Sequence, residues 1–283
     1  MNIDTSGRMA LFARLALCVA MGLPAADALA RSDNPDVLHE GVAVGHTSKL
    51  ASLVPAAEVE NAAAQQYHQL LQQAAEKRAL AQPDHPQLQR IQAVAKRLIP
   101  QSAQWNPRAP NWKWEVNLIG SNQVNAFCMP GGKIAFYSGI IDQLKLSDEE
   151  IAMVLGHEMA HALREHARER MAKGALTDVG ANVLVQVLGL GQVGQALTGY
   201  GAQLMSLKFS RSDESEADLV GMEIAARAGY DPRAAVALWQ KMAQASKGSP
   251  PQWISTHPSG ATRIADLQRN LPNVIPLYER ARH

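Results

Sequence analysis

The sequence predicts an α+β fold, a mainly helical body packed on a small antiparallel sheet, and three observations carry that prediction. Several stretches repeat apolar residues at helical spacing. A central stretch alternates apolar and polar residues and is followed by two short apolar runs around Pro130-Gly131-Gly132. Finally, 47% of the 283 residues are apolar, enough to bury a substantial core.

In chain order, Glu58 to Ala81 is rich in Ala, Gln, Leu and Glu and reads as a helix ended by Pro83 and Pro86. Leu88, Ile91, Val94 or Ala95, and Leu98 give the next helix its apolar face, with Pro100 as the stop. Trp112, Trp114, Val116 and Leu118 alternate as a half-buried strand. Val124 to Met129 and Lys133 to Tyr137 flank the Pro-Gly-Gly turn and predict a hairpin. Ser147 and Glu150 match a capping box that opens a helix from about Asp148 to about Glu169. Another helix should run through Glu214 to Ala228, with Gly229 as its left-handed cap, and Asp231-Pro232 should open a further one through about Ala245. Trp253 to Pro258 reads as a loop, and Ser259 to Asn270 as a closing helix.

The two ends of the property scale are informative. Lys plus Arg number 27 against 26 for Asp plus Glu, so no global positive field exists to hold a nucleic acid, and nucleic acid is not expected as a partner. Arg8 and Arg14, the apolar run Leu15 to Leu23, and Ala28-Leu29-Ala30 have the three zones of a secretory signal, residues 1–30, which implies a periplasmic location. A retained membrane anchor and lipidation at Cys18 are the alternatives. Loss of Cys18 with the signal leaves Cys128 alone, which rules out an internal disulfide. Val179 to Leu207 lacks charge but is broken by polar residues and glycines, so it reads as a buried or surface-covering helical hairpin, with peripheral membrane contact left open.

His157-Glu158-Met159-Ala160-His161 places two imidazoles at i and i+4 on one helical face, where both reach one metal. Glu158 lies beside the first ligand and can take a proton from a zinc-bound water as it attacks a carbonyl. The helix around it is largely apolar, which makes polar groups there costly unless something binds them. A third ligand is needed, and Glu214 and Asp218 share a helical face: Glu214 can bind the metal while Asp218 holds the far nitrogen of a ligand histidine.

These motifs, with Val124-Asn125-Ala126-Phe127, Pro130-Gly131-Gly132, and Thr256-His257-Pro258-Ser259 followed by Arg263-Ile264, resemble the M48 family of metallopeptidases over about residues 85 to 270. The resemblance implies a zincin-type metallopeptidase domain, residues 85–283, preceded by an N-terminal helical segment, residues 31–84. It implies one zinc ion per chain held by His157, His161 and Glu214, with Glu158 as general base and Asp218 outside the ligand set. His257 resembles a late-loop histidine that either stabilises the oxyanion or caps the metal in a latent form. Asn125 and Ala126 resemble the edge strand on which extended substrates pair by backbone. Arg164 and Ala167 stand where the metzincin pattern requires Gly and His. No tetratricopeptide array of the kind some periplasmic relatives carry is seen.

The expected activity is therefore hydrolysis of internal peptide bonds in misfolded or unassembled envelope proteins, with outer-membrane assembly machinery as a potential partner. The rival outside enzymology is a holding chaperone that binds strands without cutting, against which the intact Glu158 argues. Gly189-Leu190-Gly191-Gln192-Val193-Gly194 fits a dinucleotide-binding pattern but has no strand-helix-strand context. Cys128 reads as a small buried hydrophobe. His166 falls off the ligand face of a continuous helix and reads as a surface or ligand-supporting group.

Overall fold

The computed structural model describes residues 40–178, 208–245, 252–257 and 261–282. The predicted signal at residues 1–30, the uncharged stretch from 179 to 207 and its glycine motif lie outside the described residues. Among those described, helix α1 (Ala56–Glu76) buries Val59, Ala63, Tyr67 and Ala74 along one face. Helix α2 (Pro86–Leu98) starts with proline at its first position, where no backbone donor is needed, and buries Leu88, Ile91, Val94, Ala95 and Leu98.

Three strands follow: β1 (Glu115–Ile119), β2 (Ala126–Met129) and β3 (Lys133–Tyr137), in the order β1-β3-β2. The hairpin of β2 and β3 is antiparallel, and Gly131 and Gly132 adopt φ of 81° and 76° in its turn, a conformation that favours glycine. The sheet is mixed, however, because β1 pairs parallel with β3 from Glu115↔Lys133 to Ile119↔Tyr137. Residues 119–126 carry the chain past β3 to its far side, so β2 takes the edge and β1 the other flank. That second flank is covered, since Ala81 N donates to Leu118 O and Gly120 N to Ala79 O. Tyr67 ties α1 to the sheet by donating its hydroxyl to Ile134 O at 2.5 Å.

Helices α3 (Ser138–Leu144) and α4 (Asp148–Leu163) come next. Ser147 and Glu150 form the capping box of α4, and every residue from Ile151 to Leu163 is buried. The predicted continuation to Glu169 does not occur: Glu165 turns left-handed at φ 61°, and α5 (His166–Asp178) begins afresh. That conformation costs about 1 kcal/mol for a residue with a side chain. It is offset by the Glu165 carboxylate, which accepts from Arg108 Nη2 at 2.7 Å and from Arg168.

Helix α6 (Arg211–Arg227) is opened by a second capping box, Ser210 with Asp213, and is followed by Gly229 at φ 78°. Then come α7 (Ala234–Ala245), α8 (Gln252–Thr256) and α9 (Ala261–Ala281). The expected loop at Trp253 is thus a short helix, anchored by Trp253 N donating to Val124 O at 3.1 Å. The closing helix passes Asn270 and tolerates Pro272 and Pro276, because Leu267, Val274 and Leu277 stay on one buried face.

Helices α4 and α6 cross at two glycines. A Cβ added to Gly156 would stand 2.5 Å from Gly221 O, and one added to Gly221 would stand 2.5 Å from His157 N. Both obstacles are backbone and cannot rotate away. Gly221→Val is expected to force the helices apart and lower stability by about 1–3 kcal/mol, the usual cost of overpacking. A thermal or urea midpoint equal to that of the parent would contradict the role given to this crossing.

Candidate metal centre

Helix α4 carries His157, Glu158 and His161; α6, held against it at the glycine crossing, carries Glu214 and Asp218; α8 carries Trp253, and His257 follows its last residue. The four metal-ligand candidates His157, His161, Glu214 and His257 offer donor atoms that all lie within 4.8 Å of one another. His157 Nε2 is 3.1 Å from His161 Nε2, and Glu214 lies 3.6 Å from each through its two carboxylate oxygens. His257 Nδ1 stands 3.2 Å from His157 Nε2 and 3.0 Å from Glu214 Oε1. None of these residues, nor Glu158, is more than 3% exposed, so their polar atoms depend on one another or on a bound group rather than on bulk water.

Tautomers decide what the cluster can hold. Asp218 Oδ1 accepts from His157 Nδ1 at 3.0 Å, and a neutral ring bonded in this way has its lone pair on Nε2. His161 is kept neutral, its pKa held well below the ordinary imidazole range by burial first and then by His157, His166, His257 and Arg263. Its Nδ1 faces His166 Nδ1 at 2.9 Å, on the side away from the cluster. Two imidazole nitrogens 3.1 Å apart and a fully buried carboxylate beside them form a donor set that fits a divalent cation. Glu214 Oε2 is ion-paired with Arg263 Nη1 at 2.7 Å and has no hydrogen-bond partner among the described residues.

Arg263, from α9, supports the site from behind. Its Nε and Nη2 donate to Asp218 at 2.6 and 2.7 Å, and its guanidinium lies 3.6 Å over the Trp239 ring. Trp239 Nε1 also donates to Asp218 Oδ1 at 3.2 Å. Burial alone would raise the Asp218 pKa, but Arg263 and His157 outweigh it and keep the carboxyl ionised. In the same way burial opposes charge on His257, while Glu158 and Glu214 outweigh it and raise its pKa.

Glu158 sits beside the cluster rather than in it. Its Oε1 accepts from Trp253 Nε1 at 2.7 Å and faces His257 Nε2 at 3.6 Å. Trp253 is fully buried and stacks on His257 at 4.7 Å. Sequence reasoning missed Trp253 as a functional residue, since a partner 95 positions from Glu158 has no local signature. It also missed Phe209, which stacks on His161 at 3.9 Å and 23°. His166 is placed differently from a continuous helix: the break at Glu165 turns it inward, where it is buried against His161.

A cleft opens over the centre, with Asn125 to Met129 as one wall and Glu158, His161, Phe209 and His257 among the others. Strand β2 is an edge of the sheet, so its backbone borders this cleft. Ala126 N donates to the neighbouring Asn125 Oδ1 at 3.0 Å. Cys128 lies in the same wall, and burial followed by the charge of Glu158 raises its thiol well above the ordinary range, which fits a neutral buried side chain.

Residues 85–271 match the family model described as Peptidase family M48. The chain belongs to peptidase family M48. Similar proteins include the mitochondrial metalloendopeptidase OMA1 of Saccharomyces cerevisiae, 30% identical over 70% of this chain and 60% of that protein. OMA1 of Arabidopsis thaliana is 37% identical over 53% of this chain and 30% of its own length. The beta-barrel assembly-enhancing protease of Escherichia coli is 31% identical over 56% of this chain and 35% of its own length. This M48 chain thus covers between about a third and three fifths of these relatives. M48 peptidases are metallopeptidases, and the buried His157, His161, Glu214 and His257 are the metal-binding candidates among the described residues.

Proposed function

We propose that this chain is a zinc-dependent endopeptidase that hydrolyses internal bonds of extended polypeptides. The observation that carries the reading is the convergence of His157 and His161 from one helix with Glu214 from another, with Glu158 beside them. When bound, zinc supplies Lewis acidity, lowering the pKa of water toward neutrality and polarising the scissile carbonyl. His157, His161 and Glu214 hold the ion, and Asp218 fixes His157 with Nε2 turned toward it. Glu158 accepts the proton from water and returns it to the leaving amine, while the Trp253 indole holds its carboxylate in place.

His257 is proposed to cap the metal in a resting form. Its Nδ1 lies 3.2 Å from His157 Nε2 and 3.0 Å from Glu214 Oε1, among the proposed ligand atoms, and this proximity supports capping over an oxyanion role. Asn125 and Ala126 are proposed to pair with the substrate backbone, a substrate carbonyl replacing the Asn125 side chain as acceptor for Ala126 N. Pairing of that kind reads main chain, so it suits misfolded or unassembled segments. The residues 1–30 support export to the periplasm, and the name of the E. coli relative supports outer-membrane assembly machinery as a partner and envelope proteins as substrates. No helix among the described residues is long and apolar enough to cross a membrane; peripheral contact through residues 179–207 is part of the proposal.

A casein digest tests the activity, on protein recovered by osmotic shock as a chain that begins near Arg31. Cleavage that stops with a zinc chelator and returns with zinc is expected, and His257→Ala should raise the rate by freeing the metal. Wild type and His257→Ala both silent in the presence of zinc would favour a strand-holding chaperone. Retention in the cytoplasm would remove the proposed location, and a slower His257→Ala protein would favour the oxyanion role.

A further inference from the structure

We propose that His166 is the positioning residue for His161, a role that rests on the metal centre proposed above. Its Nδ1 accepts the Nδ1–H of His161 and so directs the lone pair of His161 Nε2 at the metal.

The geometry supplies a complete chain of donors and acceptors. Arg164 Nε donates to Glu216 Oε1 at 2.7 Å, and the same guanidinium donates to Gly45 O, which pins the carboxylate from one side. Glu216 Oε2 faces His166 Nε2 at 3.1 Å, and an ionised carboxylate only accepts, so His166 Nε2 is the donor. A neutral ring that donates from Nε2 offers its lone pair at Nδ1. His161 Nδ1, 2.9 Å away, must then carry its proton, and its Nε2 is left free to bind.

His157 has a shorter version of the same device, with Asp218 accepting directly. Both ligand histidines are therefore oriented by carboxylates of α6, Asp218 in one step and Glu216 through an intervening ring. The left-handed Glu165 makes this possible, because a continuous helix would carry residue 166 away from residue 161. His166 is 2% exposed, so no water replaces it as the acceptor.

The test uses the full chain and two variants. His166→Leu keeps the bulk but removes the acceptor, and His166→Asn places Oδ1 about where Nδ1 stands. Zinc affinity is measured by competition with a chromophoric chelator, and the thermal midpoint is measured on the metal-free forms. His166→Leu should bind zinc about 10- to 100-fold more weakly, the usual loss when a partner of a ligand histidine is removed. His166→Asn should stay within a few-fold of wild type, and the metal-free midpoints should stay close together. A His166→Leu protein that binds zinc within twofold of wild type, or a His166→Asn protein as weak as His166→Leu, would overturn the proposal. Nitrogen NMR of wild type gives an answer that does not depend on how the variants fold: His161 protonated at Nε2 in the metal-free protein would overturn it too. Wild type that binds no zinc would remove the metal centre itself and this role with it, an outcome distinct from loss of the role alone.

Discussion

Glu158→Gln is expected to leave zinc binding intact and to slow casein hydrolysis by about 10²- to 10⁴-fold, the range that a positioned general base contributes. Glutamine has the same shape and keeps an oxygen to accept from Trp253 Nε1, so the 2.7 Å contact that fixes the side chain survives. Only proton acceptance is lost. Glu158 is 2% exposed, which means that no bulk buffer reaches the position to substitute for it. The measurement is the initial rate of cleavage at matched zinc content. A variant within tenfold of wild type would show that Glu158 is not the base, whatever the metal does.

Glu214→Gln should act on the other half of the chemistry. A neutral amide of equal size preserves packing between α6 and the histidines but removes the negative charge from the donor set. Zinc affinity should fall by more than the 10- to 100-fold that loss of an outer partner costs. Purified protein should therefore carry well under one ion per chain and show no cleavage. Metal also stabilises the fold by mass action, at about 2.7 kcal/mol when free zinc is a hundred times the dissociation constant. Wild type should lose that increment on chelation, whereas Glu214→Gln should melt at nearly the same temperature with and without zinc. Full zinc occupancy in the variant would exclude Glu214 as a ligand and move the search to His257.

Local signals in the sequence were reliable where one element decides the outcome. The buried set of α2 coincides with its apolar period, and the Ser147 capping box opens α4 at Asp148 as expected. The spacing of His157 and His161, and of Glu214 and Asp218, needs only a helix to put each pair on one face, and both helices form. Features decided across the chain were hidden. The parallel pairing of β1 with β3 depends on where residues 119–126 carry the strand, which no periodicity records. The end of α4 has no Gly or Pro to announce it; the carboxylate of Glu165 meets Arg108, 57 residues away, and that contact makes the left-handed turn affordable. His166 was displaced from its expected face by that turn alone, and Trp253 entered the site from a segment that reads as a loop.

The meeting of Gly156 and Gly221 has a consequence for evolution as much as for stability. Main chain touches main chain there, so the gauge between the imidazole helix and the carboxylate helix is set by the width of two peptide ladders and is insensitive to drift in the side chains around it. Such a scaffold works as a caliper. The side chains around it can change while the spacing between the two imidazoles and the carboxylate stays the same.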